Sequence, residues 1–215
     1  IGVRLVGSEM CIRDRNEFIP AVQADKADRA VNCGEEIKFV MHRREDCKKL
    51  VELIEKGELP LRVTHNDTKL NNVLFDSDSD DAICVIDLDT VMPGLALYDF
   101  GDSIRFGANS CAEDDDNYDK VELMLDYFEA YAKGFLSEAG DALNQCEIDN
   151  LAFSAKLMTF ECGMRFLTDY LNGDIYFKTA YPEHNLVRAK NQFALVADME
   201  RKMEQMQQII KNITE

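Results

Sequence analysis

After Gly107 the apolar residues of this chain recur at three- and four-residue steps in three long stretches, Tyr118 to Glu138, Ile148 to Leu171 and Glu183 to Ile213, which is the period of a helix with one buried face. The same spacing links Ile37, Val40, Met41, Leu50, Leu53 and Ile54, and Gly57 with Pro60 supplies a stop, so one or two helices precede residue 60. Between these helical regions lie two short β-type runs, Asn72 to Phe75 and Ala82 to Leu88. They are joined by Asp76-Ser77-Asp78-Ser79-Asp80-Asp81, whose residue types favour a turn. The expected fold is α+β and mostly helical, with one small hairpin.

Several clusters have plain structural readings. The acidic turn 76–81 lacks the glycine at position six and the closing bidentate glutamate of a calcium loop, since Asp87 stands there, and reads as a solvated hairpin tip. Leu186, Phe193, Met199, Met203, Met206 and Ile210 read as a core stripe. Glu113 to Asp116 is expected to complement the amino end of the next helix. The seven cysteines are scattered, with no paired Cys-x-x-Cys, and read as free thiols of a reducing cytoplasm, Cys84 acting as a small buried hydrophobe. Residues 1–15 are comparatively basic and match nothing in the rest, and they are set apart as a non-native or unassigned segment, leaving 16–215 as one unit.

Charge restricts the partners. With 24 basic and 41 acidic residues the formal charge is -17, which repels nucleic-acid phosphates and anionic membrane surfaces. No stretch reaches the about 20 apolar residues of a membrane span. A nucleotide ligand would need a divalent cation to bring its phosphates to so acidic a protein, so magnesium is expected alongside ATP.

The chemistry concentrates in Val63-Thr64-His65-Asn66-Asp67-Thr68-Lys69-Leu70-Asn71-Asn72 and in Val85-Ile86-Asp87-Leu88-Asp89-Thr90. Phosphoryl transfer through a loose transition state needs a carboxylate to orient the attacking hydroxyl and hard ligands to gather phosphate oxygens through a metal. A loop can hold Asp67 toward the acceptor, while Asn72 at the start of the hairpin and Asp87 at the end of its second run converge on magnesium. Lys69 reads either as a ligand of the transferred phosphate or as a solvated loop lysine. Asp87-Leu88-Asp89-Thr90 alone also fits the aspartyl nucleophile motif of haloacid-dehalogenase-like phosphatases, but that reading leaves His65 to Asn72 without a role.

These segments, with Ile86 to Gly94, Leu97 to Gly107, Glu161 to Leu171 and Gly173 to Phe177, resemble the aminoglycoside phosphotransferase and choline kinase superfamily, and within it the N-acetylhexosamine 1-kinases. The resemblance implies a protein kinase-like carboxy-terminal lobe that transfers the ATP γ-phosphoryl group to the anomeric hydroxyl of N-acetylglucosamine or N-acetylgalactosamine. It implies Asp67 as general base, His65 as a brace of the loop, Asn72 and Asp87 as magnesium ligands, and Asp89 as a second metal or phosphate carboxylate. It places sugar contacts on Phe106, Arg165 and Tyr176, positions that would otherwise read as packing aromatics and a surface arginine. Such kinases also carry an amino-terminal β-lobe with a phosphate-binding lysine. Nothing before Asn16 fits that lobe, so the chain is expected to be the carboxy-terminal lobe, binding ATP weakly and turning over slowly or not at all on its own, with the full-length parent as the active kinase. Related acceptors such as choline, homoserine or an aminoglycoside, and a non-catalytic binding module, are the competing readings.

Overall fold

The computed structural model describes residues 16–79 and 81–215, so the segment 1–15 and Asp80 lie outside the described residues. Residues 16–24 are helical (α1), followed by α2 (Gly34–Arg43) and α3 (Lys49–Glu55). Four short strands come next: β1 (Arg62–Thr64), β2 (Val73–Phe75), β3 (Ala82–Val85) and β4 (Met92–Gly94). The rest is α4 (Ala96–Gly107), α5 (Leu125–Ala139), α6 (Gln145–Asn172) and α7 (His184–Thr214). The fold is mostly helical α+β, as the spacing predicts.

The core is built on α6 and α7, the two longest helices, which lie against each other. The inner faces of α6 and α7 bury Leu157, Phe160, Met164, Leu167, Leu195 and Met199, and the expected methionine stripe is core at Met199 and Met206. Asn144 and Glu147 open α6 as a reciprocal capping box, which satisfies two backbone donors that would otherwise lack partners. Glu147, 1% exposed, also takes Arg62 of β1 in a two-pronged ion pair at 2.6 Å per contact. The start of the long helix therefore fixes the strand that leads into the polar motif.

Helix α4 is absent from the sequence reading, which treated Leu97 to Gly107 only as a motif. Its inner face buries Leu97, Phe100 and Ile104, and it packs on α6. The helices approach so closely at Gly101 that a Cβ there would sit 2.5 Å from the Ser154 carbonyl oxygen and 2.7 Å from Met158 Cγ. Gly101→Ala is therefore expected to destabilise the protein by about 1–3 kcal/mol through overpacking, although alanine is the better helix former by about 1 kcal/mol. An unchanged or higher denaturation midpoint in urea would contradict this.

Other expectations are corrected. The reading of Tyr118 to Glu138 as one helix joins a single 3-10 turn (Tyr118–Lys120) to α5, which starts at Leu125. The acidic run does not cap that helix: Glu113 pairs with Arg105 at 2.6 Å, and Asp115 accepts from Asn117 N at 2.8 Å. The second β-type run ends at Val85, and Leu88–Thr90 form a 3-10 turn. Cys84 is exposed, because the β2–β3 ribbon stands out from the helices and leaves Ile83 and Val85 open as well. The six described cysteines are free thiols, of which Cys33, Cys47 and Cys162 are buried. The 76–79 turn is a hydrogen-bonded tip in which Asp76 Oδ1 accepts from Asp78 N and Ser79 N. Among the described residues no helix is long and apolar enough to cross a membrane.

Candidate functional site

The strand pair β1–β4 holds the polar loop at its root. Arg62, Val63 and Thr64 pair with Gly94, Pro93 and Met92, and Thr64 Oγ1 donates to the Met92 carbonyl at 2.9 Å. Gly94 leaves room that any Cβ would fill, since the atom would collide with Thr64 Oγ1. Beyond β1, Asn66 adopts a positive φ of 62°, a conformation that asparagine tolerates better than most residues. Its amide donates to the Thr90 carbonyl at 2.9 Å, and Thr90 Oγ1 donates back to His65 O at 2.7 Å. The two halves of the motif are thereby stitched together.

His65 spans the same gap with its ring. Nδ1 accepts from Asp67 N at 3.3 Å, and Nε2 meets the Ile86 carbonyl at 3.0 Å. Because a neutral imidazole has one donor and one acceptor, these partners select the Nε2–H tautomer. Ile86 N in turn donates to Asn72 O at 2.9 Å. Both backbone groups of Ile86 are thus tied to the first motif, which brings the next residue, Asp87, beside Asn72. Asp87 turns the chain with φ 61° and ψ 56°, a left-handed pose that costs an L-residue about 1–2 kcal/mol.

Asn72 is buried, and its Nδ2 donates to Asp67 O at 2.8 Å and to Asp67 Oδ2 at 2.9 Å. Lys69 Nζ reaches the same Oδ2 at 2.9 Å. With its nitrogen occupied, Asn72 retains Oδ1 as a hard ligand, and Asp67 keeps Oδ1 without a hydrogen bond among the described residues. The Asp67 side chain is 29% exposed, so solutes can reach it. Asp87 and Asp89 are exposed, and neither carboxylate has a hydrogen bond or ion pair among the described residues. No three His, Cys, Asp or Glu side chains converge among the described residues. Magnesium does not require such a cluster, because it is commonly held by one or two side chains with substrate phosphates and water completing the shell. An amide oxygen and a free carboxylate suit that ion.

Asp99, at the start of α4, is a site residue that the sequence reading missed. Its Oδ2 accepts from His65 N at 2.7 Å and its Oδ1 from Asn66 N at 2.8 Å. Its own carbonyl accepts from Thr68 Oγ1 at 2.7 Å. Burial raises its pKa above the usual carboxylate range, against the pull of the two amide donors. An Asp at the first turn of an unrecognised helix gave no signal beyond its place in Leu97-Tyr98-Asp99-Phe100-Gly101.

The residues expected to hold the sugar lie on three elements. Phe106 is near the end of α4 and Arg165 is in the last third of α6, both half-buried. Arg165 and the neighbour of Phe106, Arg105, both lie within electrostatic reach of Cys162, whose thiol is pushed up by burial against their charges. Tyr176 is 81% exposed, on a loop whose backbone Asp169 fixes by accepting from Ile175 N, Tyr176 N and Phe177 N at 2.9–3.0 Å. Its ring stands edge-on to Phe177 at 4.8 Å. No hydrogen bond or ring contact among the described residues joins Phe106 or Tyr176 to Asp67. Asp67, Lys69, Asn72 and the backbone before Asp87 form one connected group, while Phe106 and Tyr176 lie on other elements.

A family model for the phosphotransferase enzyme family matches residues 9–134, a span that includes His65, Asp67, Lys69, Asn72, Asp87 and Asp99.

Proposed function

Because the chain belongs to the phosphotransferase enzyme family, we propose that it transfers the γ-phosphoryl group of ATP to a small-molecule hydroxyl, the anomeric hydroxyl of N-acetylglucosamine or N-acetylgalactosamine. The observation that supports this reading is the shared hydrogen-bond network of Asp67, Lys69 and Asn72, to which Ile86, the residue before Asp87, is tied through its backbone N–H. A bound magnesium would neutralise and gather the nucleotide's phosphate oxygens, with Asn72 Oδ1 and Asp87 as its protein ligands and Asp89 as a further carboxylate.

Asp67 then has the task of orienting the acceptor hydroxyl. Oδ2 is occupied by Asn72 and Lys69, which leaves Oδ1 to accept the hydroxyl proton as the oxygen attacks phosphorus. A new O–P bond forms, the bond from phosphorus to the bridging oxygen of ADP breaks, and the proton ends on the carboxylate. Lys69, paired with Asp67, offsets the negative charge that accumulates on the transferred group. The Asp67–Asn72–Lys69 arrangement holds these groups before substrate arrives, so little reorganisation is needed at the moment of reaction.

The sugar acceptor rests on the aromatic face of Tyr176, the donors of Arg165 and the ring of Phe106, chemistry that suits a pyranose ring and its hydroxyl and acetamido groups. The test is a coupled ATP assay of the full-length protein with magnesium, against N-acetylglucosamine, N-acetylgalactosamine, choline, homoserine and an aminoglycoside. Sugar 1-phosphate is the expected product. Transfer to choline with no sugar phosphate formed would overturn the acceptor, and the absence of transfer to every acceptor would overturn the activity.

A further inference from the structure

Tyr131 lies on α5, outside both halves of the motif, yet its hydroxyl donates to Ser103 Oγ at 2.8 Å. Ser103, on α4, donates in turn to the Thr68 carbonyl at 3.2 Å. Each hydroxyl has a single proton, so the order is fixed: Tyr131 must donate to Ser103 for Ser103 to donate to Thr68. Chains of this kind polarise along their length, and the last bond is strengthened by the first. The phenol is held in place by its ring, which lies 5.6 Å from Phe100 and 6.2 Å from Phe135, centroid to centroid. Tyr131 is 37% exposed, but desolvation on the side of the phenol that faces Ser103 pushes its pKa up, and the fields of Asp99 and Asp102 push the same way against the Ser103 bond, so it remains a proton donor through neutral pH.

The carbonyl at the end of this relay belongs to the residue between Asp67 and Lys69. Thr68 is also held from its side chain by the Asp99 carbonyl, so the residue is gripped at two points by α4. We propose that Tyr131 and Ser103 are positioning residues for phosphoryl transfer, the relay from α5 fixing the Thr68 peptide and with it the poses of Asp67 and Lys69 on either side. The inference rests on the phosphoryl-transfer reading of the site. Neither residue would touch substrate. Their effect would be geometric, and a small displacement of a catalytic group costs turnover far more than it costs binding.

Tyr131→Phe keeps the ring and removes only the donor, and Ser103→Ala breaks the relay one step nearer the loop. In the full-length protein, with ATP, magnesium and N-acetylglucosamine, each variant is expected to lower kcat about tenfold while KM for ATP stays within about twofold. The double variant should be no worse than Ser103→Ala alone, because the relay is already broken. Backbone amide exchange over residues 66–69 should quicken in both single variants while the melting temperature stays within a few degrees. An unchanged kcat, multiplicative losses in the double variant, or loop exchange identical to the wild type would each overturn the proposal. Should the wild type transfer nothing, the proposed activity fails on its own account, and the exchange comparison still decides whether the relay fixes the loop.

Discussion

Asp67→Asn is expected to lower turnover by about a thousandfold while leaving ATP binding within a few fold of the wild type. General-base assistance contributes about 10²–10⁴ in rate, and a carboxamide cannot accept the acceptor's proton at neutral pH. The substitution is close to isosteric, and the Asn at position 67 can still accept from Asn72 through its oxygen, replacing the 2.9 Å bond now made to the carboxylate. Lys69 would lose its ionic partner, but a half-exposed pair open to solvent contributes only about 0–1 kcal/mol to stability. The fold should therefore persist, and the loss should fall on kcat and on kcat/KM equally, the pattern of an interaction made only in the transition state. Steady-state kinetics with titration calorimetry of ATP binding separates the two quantities. Wild-type turnover in this variant would remove Asp67 from the mechanism, and a matching loss of ATP affinity would reassign it to nucleotide binding.

Why Asp67 and Asn72 are readable from sequence while Asp99 is not follows from how far each contact reaches. Asp67 and Asn72 are five residues apart and meet within one loop, so spacing alone carries their relation. The brace from His65 to Ile86 crosses 21 residues, yet a recognisable hairpin lies between, and its turn residues announce the return. Asp99 acts across 33 and 34 residues from the start of a helix whose period was hidden, because buried Asp102, Ser103 and Arg105 interrupt the apolar stripe of Leu97, Phe100 and Ile104. Strands β1 and β4 are equally silent: a run of three cannot establish a period of two, and unlike β2, which is as short, neither is joined to its partner by a recognisable turn. Cys84 fails for the opposite reason: its apolar neighbours signal burial, whereas a two-stranded ribbon outside the helical core leaves both faces open.

Asp99→Asn should lower turnover about a hundredfold with a much smaller effect on stability, because this carboxylate shapes the loop through main-chain donors. The ionised group accepts from both His65 N and Asn66 N, whereas an asparagine offers one acceptor and sets an N–H₂ group against the other amide. A buried donor left unpaired costs about 1–3 kcal/mol, and the cheapest relief is rotation of the peptide that carries Asn66, next to Asp67. Such a movement misplaces the general base without opening the core. Part of the stability cost is returned, because burial disfavours the charged form and holds the pKa of Asp99 above its unfolded value. A group raised in this way contributes stability that is fully present below the unfolded carboxylate pKa, near pH 4, and is lost as pH climbs through the folded one. The stability of Asp99→Asn relative to wild type should accordingly improve as pH rises through that window and level off above it. Urea unfolding at a series of pH values, set beside kcat, tests both parts: equal losses in kcat and in unfolding free energy would make Asp99 a structural residue only, and a difference that stays flat with pH would deny the raised pKa.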